Sequence, residues 1–118
     1  MSSDLTTKKC QLCAKNTPPF SFGEAKTYLT QIPNWSLSPD AKSISRELVM
    51  KDFLAAIRLM NQIAEVAEAE DHHPDFHLTG YRKLRIELAT HSIGGLSEND
   101  FILAAKIDEL PKELKKST

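Results

Sequence analysis

The run Lys83-Leu84-Arg85-Ile86-Glu87-Leu88-Ala89-Thr90-His91 decides the fold. Leu84, Ile86, Leu88 and Thr90 alternate with Lys83, Arg85, Glu87, Ala89 and His91. A period of two puts one set of side chains on each face of a β-strand. One set is mainly apolar and the other mainly charged, the pattern of a sheet covered on a single side. His91 falls on the face opposite Leu84, Ile86 and Leu88, away from the covered core unless a bulge intervenes.

The flanks extend the reading. Before the run, Phe76 to Tyr81 forms a third strand, loosened by Thr79-Gly80. After it, Gly94-Gly95 is a break, and Ser97 with Asp100 opens a last helix whose apolar side is Phe101, Leu103, Ala104 and Ile107. Pro111 ends or kinks that helix, and the Lys-rich tail Lys112 to Lys116 is expected to be solvated.

Upstream, Asp52 is the N-cap of the main helix. Phe53, Ile57, Met60, Ala64 and Ala67 follow at spacings of four, three, four and three, which predicts the stripe that anchors this helix to the sheet. Fully burying a Phe or Ile side chain is worth ~1.5–3 kcal/mol, so such a stripe is core packing rather than a cofactor box. Pro74 marks the helix end, because the residue before a proline is pushed out of helical geometry. Ile44, Arg46, Leu48 and Met50 alternate with Ser43, Ser45, Glu47 and Val49, a second strand paired as a hairpin with a brief strand near Trp35 and Leu37 through the turn at Pro39-Asp40. Ser21 with Glu24 is a capping box for a short first helix carrying Ala25, Tyr28, Leu29 and Ile32, which Pro33 stops.

The expected order is α-β-β-α-β-β-α, an α+β fold in which a four-stranded antiparallel sheet carries helices on one face. Residues 1–20 read as a flexible arm, and 21–118 as one domain. A chain of 118 residues has room for one core. Its 15 basic and 16 acidic residues leave a net charge of −1, which gives no electrostatic case for direct nucleic-acid binding. The apolar runs are short and the Met-Ser-Ser-Asp start lacks an apolar leader region, so neither a membrane span nor a signal peptide is expected, and a cytoplasmic protein is.

Chemistry concentrates elsewhere. All four histidines, His72, His73, His77 and His91, lie within twenty residues, bracketed by the acids Glu68, Glu70, Asp71 and Asp100. Histidine beside carboxylates suits proton transfer or metal ligation, since its ordinary pKa is nearest physiological pH. Adjacent histidines rarely ligate one ion, and no His-Glu-x-x-His helix or second cysteine pair is present, so no metal or other cofactor is expected. Glu68 and His72 are one helical turn apart, which would let the carboxylate orient the ring. Asp100, opening the last helix, also fits compensation of the helix dipole. Cys10 and Cys13 make a lone Cys-x-x-Cys without the partner pair of a zinc ribbon or the strand and helix of a thioredoxin-like site; a bland tail motif is expected.

These residues resemble the pterin-4a-carbinolamine dehydratases. That family's pattern is an acid, three residues, His-His-Pro, a gap to an aromatic, nine residues to a histidine, and a spacer to an aspartate. In this chain it reads Glu68, three residues, His72-His73-Pro74, six residues, Tyr81, nine residues, His91, eight residues, Asp100. The likeness runs from Ile32-Pro33-Asn34-Trp35 to Ile107-Asp108, roughly two thirds of the chain, and includes the Gly95-Leu96-Ser97-x-x-Asp100 turn. Glu98-Asn99 departs from members that place an arginine just before the aspartate.

The resemblance implies dehydration of 4a-hydroxytetrahydropterin to quinonoid dihydropterin, in pterin recycling after aromatic amino acid hydroxylation. It implies that His72 and His91 are the acid/base pair and that His73 positions the pterin. Glu68 would orient a histidine, Asp100 would brace His91, Pro74 would shape the loop, and Asp71 and Phe76 would help bind or orient the substrate. Relatives of this fold also serve as a transcriptional coactivator or as RuBisCO assembly factors, but the assembly factors look degenerate in the histidine motif that this chain keeps. A homodimer or homotetramer is expected, through the Ser43–Met50 strand edge, the Phe101, Ala104 and Ile107 side of the last helix, or both.

Overall fold

The computed structural model describes residues 4–11 and 17–116. Strand β4 (Lys83–Leu88) is central, with Leu84, Ile86 and Leu88 buried and Lys83 and Arg85 exposed, as the alternation requires. It pairs antiparallel with β2 (Ile44–Val49) on one side and β3 (Asp75–Thr79) on the other, while β1 (Ser36–Leu37) pairs with β2. The sheet order is therefore β1-β2-β4-β3. Helices α1 (Phe22–Leu29), α2 (Phe53–Glu70) and α3 (Glu98–Asp108) complete the expected α+β order.

The cap chemistry is as read. Ser21 and Glu24 form a reciprocal capping box on α1, Asp52 accepts from the Ala55 amide at the start of α2, and Ser97 with Asp100 forms a second capping box on α3.

Four expectations are corrected. First, the buried stripe of α2 is Ala56, Leu59, Ile63, Ala67 and Glu70, with Ala55 beside it. Phe53 and Ala64 are exposed, and Ile57 and Met60 are half-buried, so the stripe from Phe53 to Ala67 is rotated relative to the true one. Small residues at 55, 56 and 67 bring the helix close to its neighbours, which a search for large apolar side chains does not register.

Second, the third strand ends at Thr79 rather than Tyr81, because Gly80 and Tyr81 both have positive φ (53° and 59°) in the loop to β4. Third, the C-terminal tail is not simply solvated. Leu114 bridges Met50, the Lys115 amide donates to the Val49 carbonyl, and Lys112 Nζ donates to the carbonyls of Ile107, Asp108 and Leu110. That ammonium closes the end of α3, where carbonyls lack helical partners.

Fourth, α3 is buried all round rather than along one side, with Asn99 to Ala105 and Ile107 enclosed. The arm makes the difference: Asp4–Thr7 is a short 3₁₀ turn packed on α3, and Leu5 is buried. Phe20, Tyr28 and Phe101 then stack with centroids 4.9 to 5.9 Å apart, tying the arm's end and α1 to α3. At the other end of α3, Asp108 Oδ1 accepts from Trp35 Nε1 (2.8 Å) and from Arg46 (2.6 Å).

Candidate active site

The site begins where α2 ends. Asp71 takes the left-handed conformation (φ 53°, ψ 40°), the His72 amide donates to the Ala67 carbonyl, and the Asp71 amide reaches Glu68. This is a Schellman-type stop with aspartate where glycine is usual, a substitution the short polar side chain tolerates. The reversal carries His72 off the helical path. It therefore does not sit one turn above Glu68, and the expected Glu68–His72 pairing is replaced. Glu68 Oε2 meets His73 Nε2 at 2.6 Å on the exposed surface.

His72 is three-quarters hidden or better, and its Nε2 lies 2.6 Å from Asp100 Oδ1. Asp100 is fully buried. Its second oxygen accepts from Thr90 Oγ1 (2.8 Å) and from the Ser97 amide (3.0 Å), and Thr90 Oγ1 also lies 2.8 Å from Ser97 Oγ. A buried carboxylate met by donors at Oδ2 acts as an acceptor at Oδ1 as well, which assigns the Nε2–H of His72 to this contact. Asp100 thus bonds His72 directly and reaches His91 only through its chain neighbour Thr90. The expected direct brace between Asp100 and His91 is corrected accordingly.

His91 is exposed and heads a 3₁₀ turn, His91–Ile93, that follows the last residues of the β4 run. Gly94 closes this turn in the left-handed region (φ 71°), and the Thr90 amide donates to the Gly95 carbonyl. A Cβ on Gly95 would come within 2.7 Å of Pro19, so the close approach of the arm requires glycine here.

Two clefts take lining residues from the Thr90–Gly95 turn. One, of about 290 Å³, is lined by His91, Ala89, Glu87, Asp75, Lys42 and the two glycines. The other, of about 200 Å³, is lined by His72, Thr90, Ser92, Asp71, Glu70, Asn99, Cys10 and Gln11. A larger depression of about 450 Å³ lies on the uncovered sheet face beside His77, which stands 3.8 Å from Glu87. It holds none of the motif histidines. Pro74 is half-buried between His73 and β3, and Phe76 points to the covered side of β3 against the core, so Phe76 enters as packing. Among the described residues, no three His, Cys, Asp or Glu side chains are placed to hold a metal ion.

Sequence reasoning passed over Thr90 and Ser97 as site members and left Glu70 and Asn99 without a role. Thr90 carried a signal: it is the polar residue on the apolar face of the β4 alternation, and a buried hydroxyl needs a partner. Glu70 is buried; burial by itself would raise its carboxyl, but the Lys106 ammonium at 2.7 Å and the Cys10 amide at 2.8 Å hold it below the usual carboxylate range. Cys13 lies outside the described residues.

A four-stranded antiparallel sheet, three helices and a buried histidine–carboxylate pair define a small α+β protein with a polar cleft at the end of α2. The sequence pattern of the family described as pterin 4 alpha carbinolamine dehydratase matches residues 18–110. A relative of that family in Halorhodospira halophila is 47% identical over 106 residues, covering 90% of this chain and 96% of its own. The mitochondrial pterin-4-alpha-carbinolamine dehydratase 2 of Arabidopsis thaliana is 43% identical over 114 residues, 94% of this chain and 61% of that longer one. Among solved structures, the transcriptional coactivator/pterin dehydratase of Brucella melitensis superposes with a TM-score of 0.70 at 32% identity, over 76% of this chain and 95% of that one. The chain belongs to the pterin-4a-carbinolamine dehydratase family, whose members are hydro-lyases.

Proposed function

We propose that this protein dehydrates 4a-hydroxytetrahydropterin to quinonoid dihydropterin and water, in the cytoplasm, as a step of pterin recycling after aromatic amino acid hydroxylation. The carrying observation is the buried Asp100, which bonds His72 through one oxygen and Thr90, the neighbour of His91, through the other. One carboxylate thereby orients His72 directly and anchors Thr90, the residue before His91 in the chain.

The step balances without a cofactor. The C4a–O bond breaks and the hydroxyl leaves as water with a proton from one histidine. The other takes the N5 proton, and the N–H electron pair becomes the N5=C4a bond. Each such transfer is worth ~10²–10⁴ in rate. His73, exposed and held by Glu68, positions the pterin. The coactivator description belongs to the Brucella protein; the complete histidine motif favours the enzyme here.

Stopped-flow absorbance of carbinolamine decay, with and without the protein, tests the reading. Acceleration that saturates with substrate is expected, and an unchanged decay refutes it.

On the same reading the chain works as a homodimer or homotetramer. Of the surfaces first expected to pair, Phe101, Ala104 and Ile107 are fully buried inside the subunit, while β1 pairs with only Ile44 and Ser45 of the β2 edge. What remains is the part of the β2 edge beyond Ser45, the outer edge of β3 and the α2 face carrying Phe53, Leu54 and Ile57, with Leu54 63% exposed. A strand edge and an exposed apolar helix face each pair with a second copy about a two-fold axis. Sedimentation equilibrium at micromolar concentration checks this; a single species near 13.2 kDa refutes it.

A further inference from the structure

The N-terminal arm reaches the His72 cleft and is fastened there at two adjacent residues. Glu70 Oε1 accepts from the Cys10 amide at 2.8 Å while its other oxygen takes the Lys106 ammonium. Asn99 grips Gln11 by both main-chain groups: its Oδ1 accepts from the Gln11 amide (2.8 Å) and its Nδ2 donates to the Gln11 carbonyl (2.6 Å), as a neighbouring strand would. The Cys10 thiol lies 3.6 Å from the Asn99 carbonyl. Cys10, Gln11, Glu70 and Asn99 make up half of the residues lining the cleft that holds His72.

We propose that Asn99 and Glu70 are positioning residues that seat Cys10 and Gln11 as the wall of the His72 cleft, so that the arm shapes the space a pterin occupies. The wall is net neutral, since Lys106 matches Glu70 and the remaining groups are amides and a thiol. With the Asp71 carboxylate also lining the cleft, it suits a hydrogen-bonding heterocycle rather than an anion. The proposal rests on the dehydratase reading for the identity of that heterocycle.

Cys10 reports whether the wall is seated. Burial, and then the Glu70 charge, push its thiol up to about 12, so the seated thiol reacts slowly. A released cysteine returns towards ~8.5 and reacts far faster at pH 8. The test uses the full chain with Cys13→Ser, so that only Cys10 responds to iodoacetamide. Asn99→Ala removes two hydrogen bonds and is expected to speed Cys10 modification about tenfold or more and to raise KM about fivefold, with kcat changed less. Gln11→Pro deletes the Gln11 N–H from the arm itself, touches no helix, and is expected to act in the same direction.

A stable dihydropterin, used as a binding probe, is expected to slow Cys10 modification in the otherwise native chain whether or not turnover occurs. Faster modification with an unchanged KM would overturn the wall while leaving the dehydratase reading intact. Absent protection by dihydropterin, or unchanged modification in both variants, would overturn it as well. Protection without carbinolamine dehydration would support the wall and count against the dehydratase reading instead.

Discussion

Replacing Asp100 by alanine removes the one group on which the site converges, and the structure sets the size of the effect. Three donors lose an acceptor: His72 Nε2, Thr90 Oγ1 and the Ser97 amide. A hydrogen bond to an ionised acceptor contributes ~1.5–3 kcal/mol, so three give a ceiling of about 4.5–9 kcal/mol. The actual loss is smaller, because Thr90 keeps Ser97 Oγ and His72 can turn to water, leaving the Ser97 amide stranded together with the broken capping box. About 3 kcal/mol is the expected destabilisation. With a urea slope of ~2 kcal/mol/M, that moves the unfolding midpoint down by about 1.5 M. Asp100→Asn keeps the size and one acceptor, and about half that shift is expected. Both variants, assayed well below their midpoints, should lose about 10²-fold in dehydration rate because His72 is no longer oriented. Trp35 fluorescence follows unfolding and stopped-flow absorbance follows turnover. An alanine variant with a midpoint within about 0.3 M of the parent, or with full activity, would show that Asp100 neither braces the fold nor serves the chemistry.

Three further outcomes are expected. His72→Ala and His91→Ala should each lower the dehydration rate about 10²-fold with the fold intact by circular dichroism, whereas His73→Ala should mainly raise KM; parental turnover in the His72/His91 double variant would end the assignment. Dialysis against a strong chelator should leave the rate unchanged, and zinc that departs together with activity would contradict the reading. Because Glu70 is held below the ordinary carboxylate range, the unfolded chain takes up its proton first as pH falls. Its contribution is complete above the ordinary value near ~4.3 and is lost on descending through the depressed one, so the parent's urea midpoint should fall more steeply below that pH than that of Glu70→Gln. Parallel acid limbs would exclude a role for Glu70 in holding the arm.

The strands were legible because their signal is local. β2 and β4 alternate cleanly, and the caps at Ser21, Asp52 and Ser97 announce the helices that follow. The orientation of α2 was not, because its apolar residues spread well beyond a single stripe, leaving polar only the face of Arg58, Asn61, Gln62 and Glu65. Two stripes compete, and the one with larger side chains, through Phe53 and Ile57, is the one left partly open. The members of the site were readable as a motif, but their pairing was not. His72 and Asp100 are 28 residues apart, and the pairing depends on a left-handed aspartate at position 71, a conformation that no glycine signalled. The contacts of the described arm residues were not legible for a related reason. Composition reported the arm's polarity, while its attachment rests on buried Leu5, the Phe20 ring, the Lys8–Glu98 ion pair and main-chain groups, whose partners composition does not register.

Asp100 and Asp108 stand near opposite ends of α3, and both are fastened by side chains from elsewhere. Eight residues at ~1.5 Å each make the interval about 12 Å, spanned by a helix that close packing keeps stiff. Such a helix works as a strut: a displacement at its foot, where Trp35 and Arg46 hold Asp108, is delivered to its head beside His72 rather than absorbed on the way. The indole of Trp35 therefore bears on the position of a buried carboxylate it never touches, and tolerance to change at that remote corner is tied to the tolerance of a 2.6 Å contact at the cleft.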